Sequence, residues 1–426
     1  VSATAPIPAL KKPRRQAVLP KLFLWLWLVK MTSAGRYVFL GFLVTASVGM
    51  LDLETPVYLL VCAWTAVGVI AVAVNYLLCP RLSLRGHPAQ KASAGQPVTA
   101  TYEIHNSSRR WALDVGIGYF RLPRSIAPLE DDVILPQIAP GSSGELRVTI
   151  RPERRGMYLM PPVRAFSTFP FGFYRTRAAE LPPAPLVVTP AFHRVSEIHI
   201  PLGTRYQPGG IALTSHVGES PEYIGNREYR EGDPLQRIDF RSWARLARPV
   251  VREYQEEYYC RIALVLDTFI PKGRRVPRTG FAELEGAVSL SATVADVLAQ
   301  GEYIIDLFAA GPELYVFRAG RQTAHFENVL DILAGVDACR TNPFAKVTPA
   351  LTEELSRISA VVCVLLDWDR SRELLVQAAA EAGCSVKVLL VRDGAPTLSL
   401  ASAENWTNDV SQYTPEEIAR GGWERL

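Results

Sequence analysis

The chain of 426 residues carries 46 basic and 42 acidic side chains, a net charge of +4, and is longer than one ordinary domain. So even a balance excludes a polyanion binder by charge alone and sets nucleic acid aside. Six cysteines (Cys62, Cys79, Cys260, Cys339, Cys363, Cys384) and six histidines lie scattered, without disulfide, CxxC or HExxH spacing, as expected of a reducing compartment without a zinc cluster.

Residues 1–33 form a basic N-terminal segment that includes "KLFLWLWLVK" (21–30), a tryptophan-rich stretch suited to the membrane interface. Two transmembrane helices are expected within 34–80. "VYLLVCAWTAVGVIAVAVNYLLC" (57–79) has no charged side chain and would span about 34 Å as a helix. "AGRYVFLGFLVTASVGMLDL" (34–53) precedes it across the short loop "DLETP", so a helical hairpin is predicted. Lys11, Lys12, Arg14, Arg15, Lys21, Lys30 and Arg36 lie before the hairpin and Arg81 and Arg85 after it, which places both ends of the chain in the cytoplasm.

From 85 to 200, short alternating runs such as "QPVTATYEIHN" and "GELRVTIRP" separated by turn residues predict an all-β sandwich of immunoglobulin or fibronectin type. The cluster Phe169–Tyr174 reads as a packed corner in which Pro170 and Gly172 set the turn.

Residues 201–259 hold a region dense in mixed charge, "EYIGNREYREGDPLQRIDFRSWARLARPVVREYQEE" (222–257). Its cations are arginines, including Arg227, Arg237, Arg241, Arg245, Arg248 and Arg252, with Glu228, Asp233, Asp239 and Glu253 as local carboxylate partners. If "IDFRSWARLA" is helical, Phe240, Trp243 and Ala244 share a face that docks, while Arg241 and Arg245 stack on another. Three readings follow: an ion-pair lattice, a docking surface for a protein or acidic ligand, or a catalytic site. Chemistry comes last, since Ser242 has no nearby histidine and the carboxylates sit among arginines.

Residues 260–395 alternate apolar strands with amphipathic helices, the pattern of a doubly wound α/β domain, and 396–426 reads as a tail. Asp267 ends the first strand, and Asp367 and Asp369 follow "AVVCVLL". This arrangement resembles the von Willebrand factor type A fold, whose metal-ion-dependent adhesion site uses Asp-x-Ser-x-Ser, a loop threonine and a later aspartate. Here the motif reads Asp267-Thr268-Phe269-Ile270-Pro271, so both serines are missing. Asp267 and Asp367, with Thr341, still offer oxygens for a magnesium ion held through waters.

The stretch "REYREGDPLQRIDFRSWAR...VVREY" is similar to the signature of the domain of unknown function 58 family. The resembling positions are Arg227, Tyr229, Gly232, Asp233, Arg237, Ile238, Asp239, Phe240, Ala244, Arg245, Val251, Arg252 and Glu253. The likeness extends to "RRG-Y" (Arg154, Arg155, Gly156, Tyr158) and "PFG" (Pro170, Phe171, Gly172). Phe240 stands where the family has tryptophan, and Trp243 where it has serine. The resemblance implies a bacterial cytoplasmic-membrane protein with a cytosolic body, partnered by a MoxR-type AAA+ ATPase and bringing no biochemical activity with it. The expected role is a non-enzymatic, membrane-tethered adaptor. The alternatives are a metal-assisted hydrolase at Asp267, Asp367 and Asp369, and a structural homo-oligomer.

Overall fold

The computed structural model describes residues 26–51, 55–129, 133–200, 223–230, 233, 235–254, 261–271, 277, 280–301, 303–310, 314–318, 324–407, 409–423 and 425. They divide into two compact units, 1–153 with 158–186, and 154–157 with 187–426.

In the first unit, helices Ser33–Leu51 and Thr55–Leu77 pack against each other. Val57–Leu77 is long and apolar enough to cross a membrane, and only 6% of its apolar window is buried, unlike a soluble core helix. Over its described side chains, Ser33–Val48, its companion is a shorter apolar helix. Among the described residues, one of the two expected spans is long and apolar enough to cross a membrane.

The β module includes two four-stranded antiparallel sheets. One runs Leu82–Gly86, Val98–Asn106, Ser143–Pro152, Ile126–Pro128; the other runs Thr176–Glu180, Val163–Ser167, Ala112–Tyr119, Val133–Ile138. Alternation makes the sandwich. Ala100, Tyr102 and Ile104 of one sheet face Val115, Ile117, Val163 and Ala165 of the other in a single core.

The predicted corner is packed, and what packs it is the helix pair. Asn75, the polar residue inside the longest apolar run, is 3% exposed and donates from Nδ2 to the carbonyls of Ser167 (3.2 Å), Phe169 (2.7 Å) and Tyr174 (3.2 Å). Thr32 Oγ1 donates to Gly172 O at 2.5 Å, and Arg175 N to Lys30 O at 2.7 Å. A Cβ on Gly35 would lie 2.2 Å from Phe173 O, so only glycine allows this approach.

The second unit holds a six-stranded sheet in the order Leu314–Arg318, Ile304–Ala310, Arg261–Leu266, Ala360–Leu365, Ser385–Val391, Val410–Tyr413, parallel except for the first strand. Side chains alternate between two cores. Ile262, Leu264, Val362 and Val364 face helices Ala282–Gln300 and Ala324–Gly335, while Ala263, Val265, Val361 and Cys363 face helices Phe344–Glu354 and Arg370–Glu381. This is the doubly wound arrangement predicted for 260–395.

Three boundaries differ from expectation. Residues of the expected tail form the edge strand Val410–Tyr413 and the capped helix Pro415–Arg420, which packs on Ala282–Gln300. Val195 and Ile198, assigned to the sandwich, belong to the α/β core. So do Arg154 and Arg155 of "RRG": Arg155 is 4% exposed, donates to Leu333 O (3.0 Å) and Val336 O (2.8 Å) at the end of Ala324–Gly335, and pairs with Glu285.

Candidate functional site

The strand order reverses between Arg261–Leu266 and Ala360–Leu365, and open α/β sheets take ligands at such a switch point, beyond the strands' C-terminal ends. Here a cleft of about 490 Å³ is lined by Phe269, Pro271, Asp367, Asp369, Arg372, Arg392 and Thr397, among others.

Asp267 is 1% exposed. Its carboxylate accepts from Phe269 N (2.8 Å), Leu366 N (2.9 Å) and Arg372 Nε (2.8 Å), with Arg372 Nη2 at 2.7 Å. Burial pushes this carboxyl up, opposed by the arginine charge and the two amides. Burial pulls the Arg372 guanidinium down, but Asp267 and Asp369 outweigh it and raise it, so the arginine keeps its charge. Asp369 caps helix Arg370–Glu381, accepting from Ser371 N and Arg372 N (both 3.0 Å), and holds Arg372 Nη1 at 2.5 Å.

Asp367 turns to other partners: Thr397 Oγ1 (2.7 Å), Thr397 N (2.9 Å), Trp368 N (2.8 Å) and Arg392 Nη1 (2.6 Å). Burial pushes its carboxyl up, yet these donors together hold it below the ordinary range. Trp368, fully buried with Nε1 donating to Ser402 Oγ at 2.9 Å, fixes the turn between the two aspartates.

This donor set does not fit the expected magnesium site. The Asp267 and Asp369 carboxylates converge on a guanidinium, and Asp367 on a second arginine and a threonine. Thr341 lies in the loop bridged to Phe269 through Cys339, but its hydroxyl meets Cys339 Sγ at 3.6 Å. Among the described residues, no group of three histidine, cysteine, aspartate or glutamate side chains is placed to hold a metal ion.

The signature region is an antiparallel hairpin, Tyr223–Glu228 with Val250–Tyr254, carrying the short helix Phe240–Leu246 between its strands. Arg227, Arg248 and Arg252 pair with carboxylates of the same region. Arg227 grips Asp233 with two bonds of 2.7 Å, Arg248 pairs with Glu228, and Arg252 Nη2 lies 3.7 Å from Asp239. Asp239 caps the helix, accepting from Arg241 N (3.1 Å), Ser242 N (3.2 Å) and Ser242 Oγ (2.9 Å), while Asn226 Nδ2 donates to both Asp239 (3.2 Å) and Ser242 Oγ (2.9 Å). The Arg227 hydrogen bonds hold Asp233 at about 2, and those from Ser242 hold Asp239 at about 2.

The docking face differs from expectation. Ser242 is the helix residue that is buried, whereas Phe240 is 68% and Trp243 38% exposed, stacked on each other at 6.1 Å. Ala244, Arg241 and Arg245 are exposed, and no described residue pairs with either arginine side chain. Tyr229 and Arg237 are half-buried, Tyr229 N donating to Pro249 O at 3.0 Å. Glu253 pairs through its backbone with Gly225, and Gly232 lies outside the described residues.

Arg372, Arg392, Thr397, Asn226 and Ser242 are the contributors that residue motifs missed. The spacing of Asp369 and Arg372 on one helix start is a local signal for that pair. Nothing local links Arg372 to Asp267.

No family model matches the chain, and no curated protein does. Solved structures include partial likenesses. The VesB protease of Vibrio cholerae is 15% identical over 28% of this chain and 34% of its own, with a TM-score of 0.19. Native alpha-2-macroglobulin of E. coli is 15% identical over 26% of this chain and 7% of its own, with a TM-score of 0.20. The CARDB domain of PF1109 from Pyrococcus furiosus, in complex with di-metal ions, is 10% identical over 26% of this chain and 90% of its own, with a TM-score of 0.19. The chain thus spans about a third of the first of these.

Proposed function

We propose that this protein is a non-enzymatic, membrane-tethered cytosolic adaptor whose signature hairpin docks a protein partner. One observation carries the reading: a dense hydrogen-bonded frame holds a seven-residue helix in place while its large apolar side chains face outward. Leu235 (71%), Phe240 (68%), Leu246 (46%) and Trp243 (38%) are exposed next to Arg241 and Arg245, whose side chains pair with no described residue. Aromatic and arginine side chains on a rigid support dominate binding energy at protein interfaces.

The resemblance to the domain of unknown function 58 family makes the partner a MoxR-type AAA+ ATPase. An antiparallel edge strand on an otherwise parallel sheet of order 3-2-1-4-5-6 supports the von Willebrand type A likeness. The packed helix pair supports a membrane hairpin, with the basic flanks setting a cytoplasmic body. The hydrolase reading loses support because its three carboxylates are each bound to an arginine.

The test is recovery of the ATPase on the full-length protein purified from membranes. Phe240→Ala, or Arg241→Ala with Arg245→Ala, is expected to lower recovery about tenfold or more. Unchanged recovery with both variants would remove the hairpin from the binding surface and overturn the reading.

A further inference from the structure

The head of the parallel sheet gathers carboxylates of the kind that hold a divalent cation, yet the positive charge seated among them belongs to the chain. Arg372 is 2% exposed and places Nε and Nη2 on Asp267 and Nη1 on Asp369. Its guanidinium carbon lies over the rings of Phe269 and Phe344, with centroids at 5.6 and 5.1 Å. One charge stands against two carboxylates. The remainder is offset by backbone amides, Phe269 N and Leu366 N on Asp267 and the first turn of Arg370–Glu381 on Asp369. Asp367 is neutralised separately by Arg392.

We propose that Arg372 is the resident cation of this crevice, standing in for a divalent metal ion. Magnesium needs about six oxygens in an octahedron at roughly 2.0–2.1 Å, and in the motif after Asp267 two of the hydroxyl positions are Phe269 and Pro271. A planar fork with five donors needs only the two carboxylates, and the apolar Phe269 that deprives a metal of a ligand becomes a lid for the guanidinium. The crevice is therefore assembled without divalent metal. Shortening Arg372 leaves Asp267 and Asp369 facing an emptied position. That position is a divalent-cation site in waiting.

The experiment uses full-length protein in detergent, manganese as the probe and thermal unfolding with magnesium or a chelator. The native protein is expected to bind no stoichiometric manganese and to unfold at the same temperature in either solution. Arg372→Ser is expected to unfold at a lower temperature, to bind one manganese ion and to regain about 5 °C or more with millimolar magnesium. Adding Asp267→Asn to that variant should abolish the gain. If Arg372→Ser fails to fold in chelator, its folded yield with and without manganese becomes the readout. Stoichiometric manganese binding by the native protein, or an Arg372→Ser protein that gains neither binding, stability nor yield from manganese, overturns the proposal.

Discussion

The crevice and the signature hairpin are built from the same ingredients, arginines and aspartates beside aromatic rings, with opposite results. In the crevice the ion pair is buried and the rings of Phe269 and Phe344 close over it. In the hairpin the ion pairs form the frame and the rings of Phe240 and Trp243 are left outside. The difference lies in who supplies the cover. A doubly wound sheet offers helices on both faces to bury aromatic surface, whereas a two-stranded ribbon has no second layer. A ribbon that exposes apolar side chains must be held by polar contacts, and such a surface is available to a partner.

Removing one member of each network should separate the two regions, and the largest effect is expected in the crevice. Asp267→Ala leaves Arg372 buried with one carboxylate and should cost about 3–5 kcal/mol of unfolding free energy in urea melts. A loss below about 1 kcal/mol would show that the pair is not what closes the crevice. Asp239→Ala should act locally, speeding amide exchange at Arg241 and Ser242 on the order of tenfold through loss of the helix cap, with global unfolding little changed. Acid should also open the hairpin's own network at low pH. Asp233 and Asp239 are held at about 2 in the folded chain, below the unfolded carboxylate value. Their stabilisation is therefore complete above about pH 4 and is lost as pH falls toward 2. Trp243 fluorescence should follow that transition, and a hairpin that opens only with the sheet would count against its independence. The smallest effect is expected for Phe240→Ala, within about 0.5 kcal/mol in the same melts because the ring is mostly exposed. A larger loss would mean that the ring packs on something in the free protein.

Much of the architecture is written locally. Period-two apolar runs specify the sandwich strands, continuous runs such as "IALVL" the strands buried on both faces, and the amphipathic patterns the helices between them. Asp233, Asp239 and Asp369 find partners within a few residues, so their pairs were legible from spacing. The exposure of Phe240 and Trp243 was not, because helical periodicity says which residues share a face and leaves open whether a second layer covers it.

What the sequence by itself determined is therefore the set of elements, the charge-free helix Val57–Leu77 and the short-range pairs and caps. Only the tertiary structure decided that Arg372 reaches Asp267 across 105 residues, that Asn75 reaches Phe169 across 94, and that an arginine sits where the residue pattern suggested a metal. The physical reason is that periodicity and capping act over one or two turns of chain. The partner of a buried charge or amide is selected when distant elements pack and must satisfy each polar group they enclose.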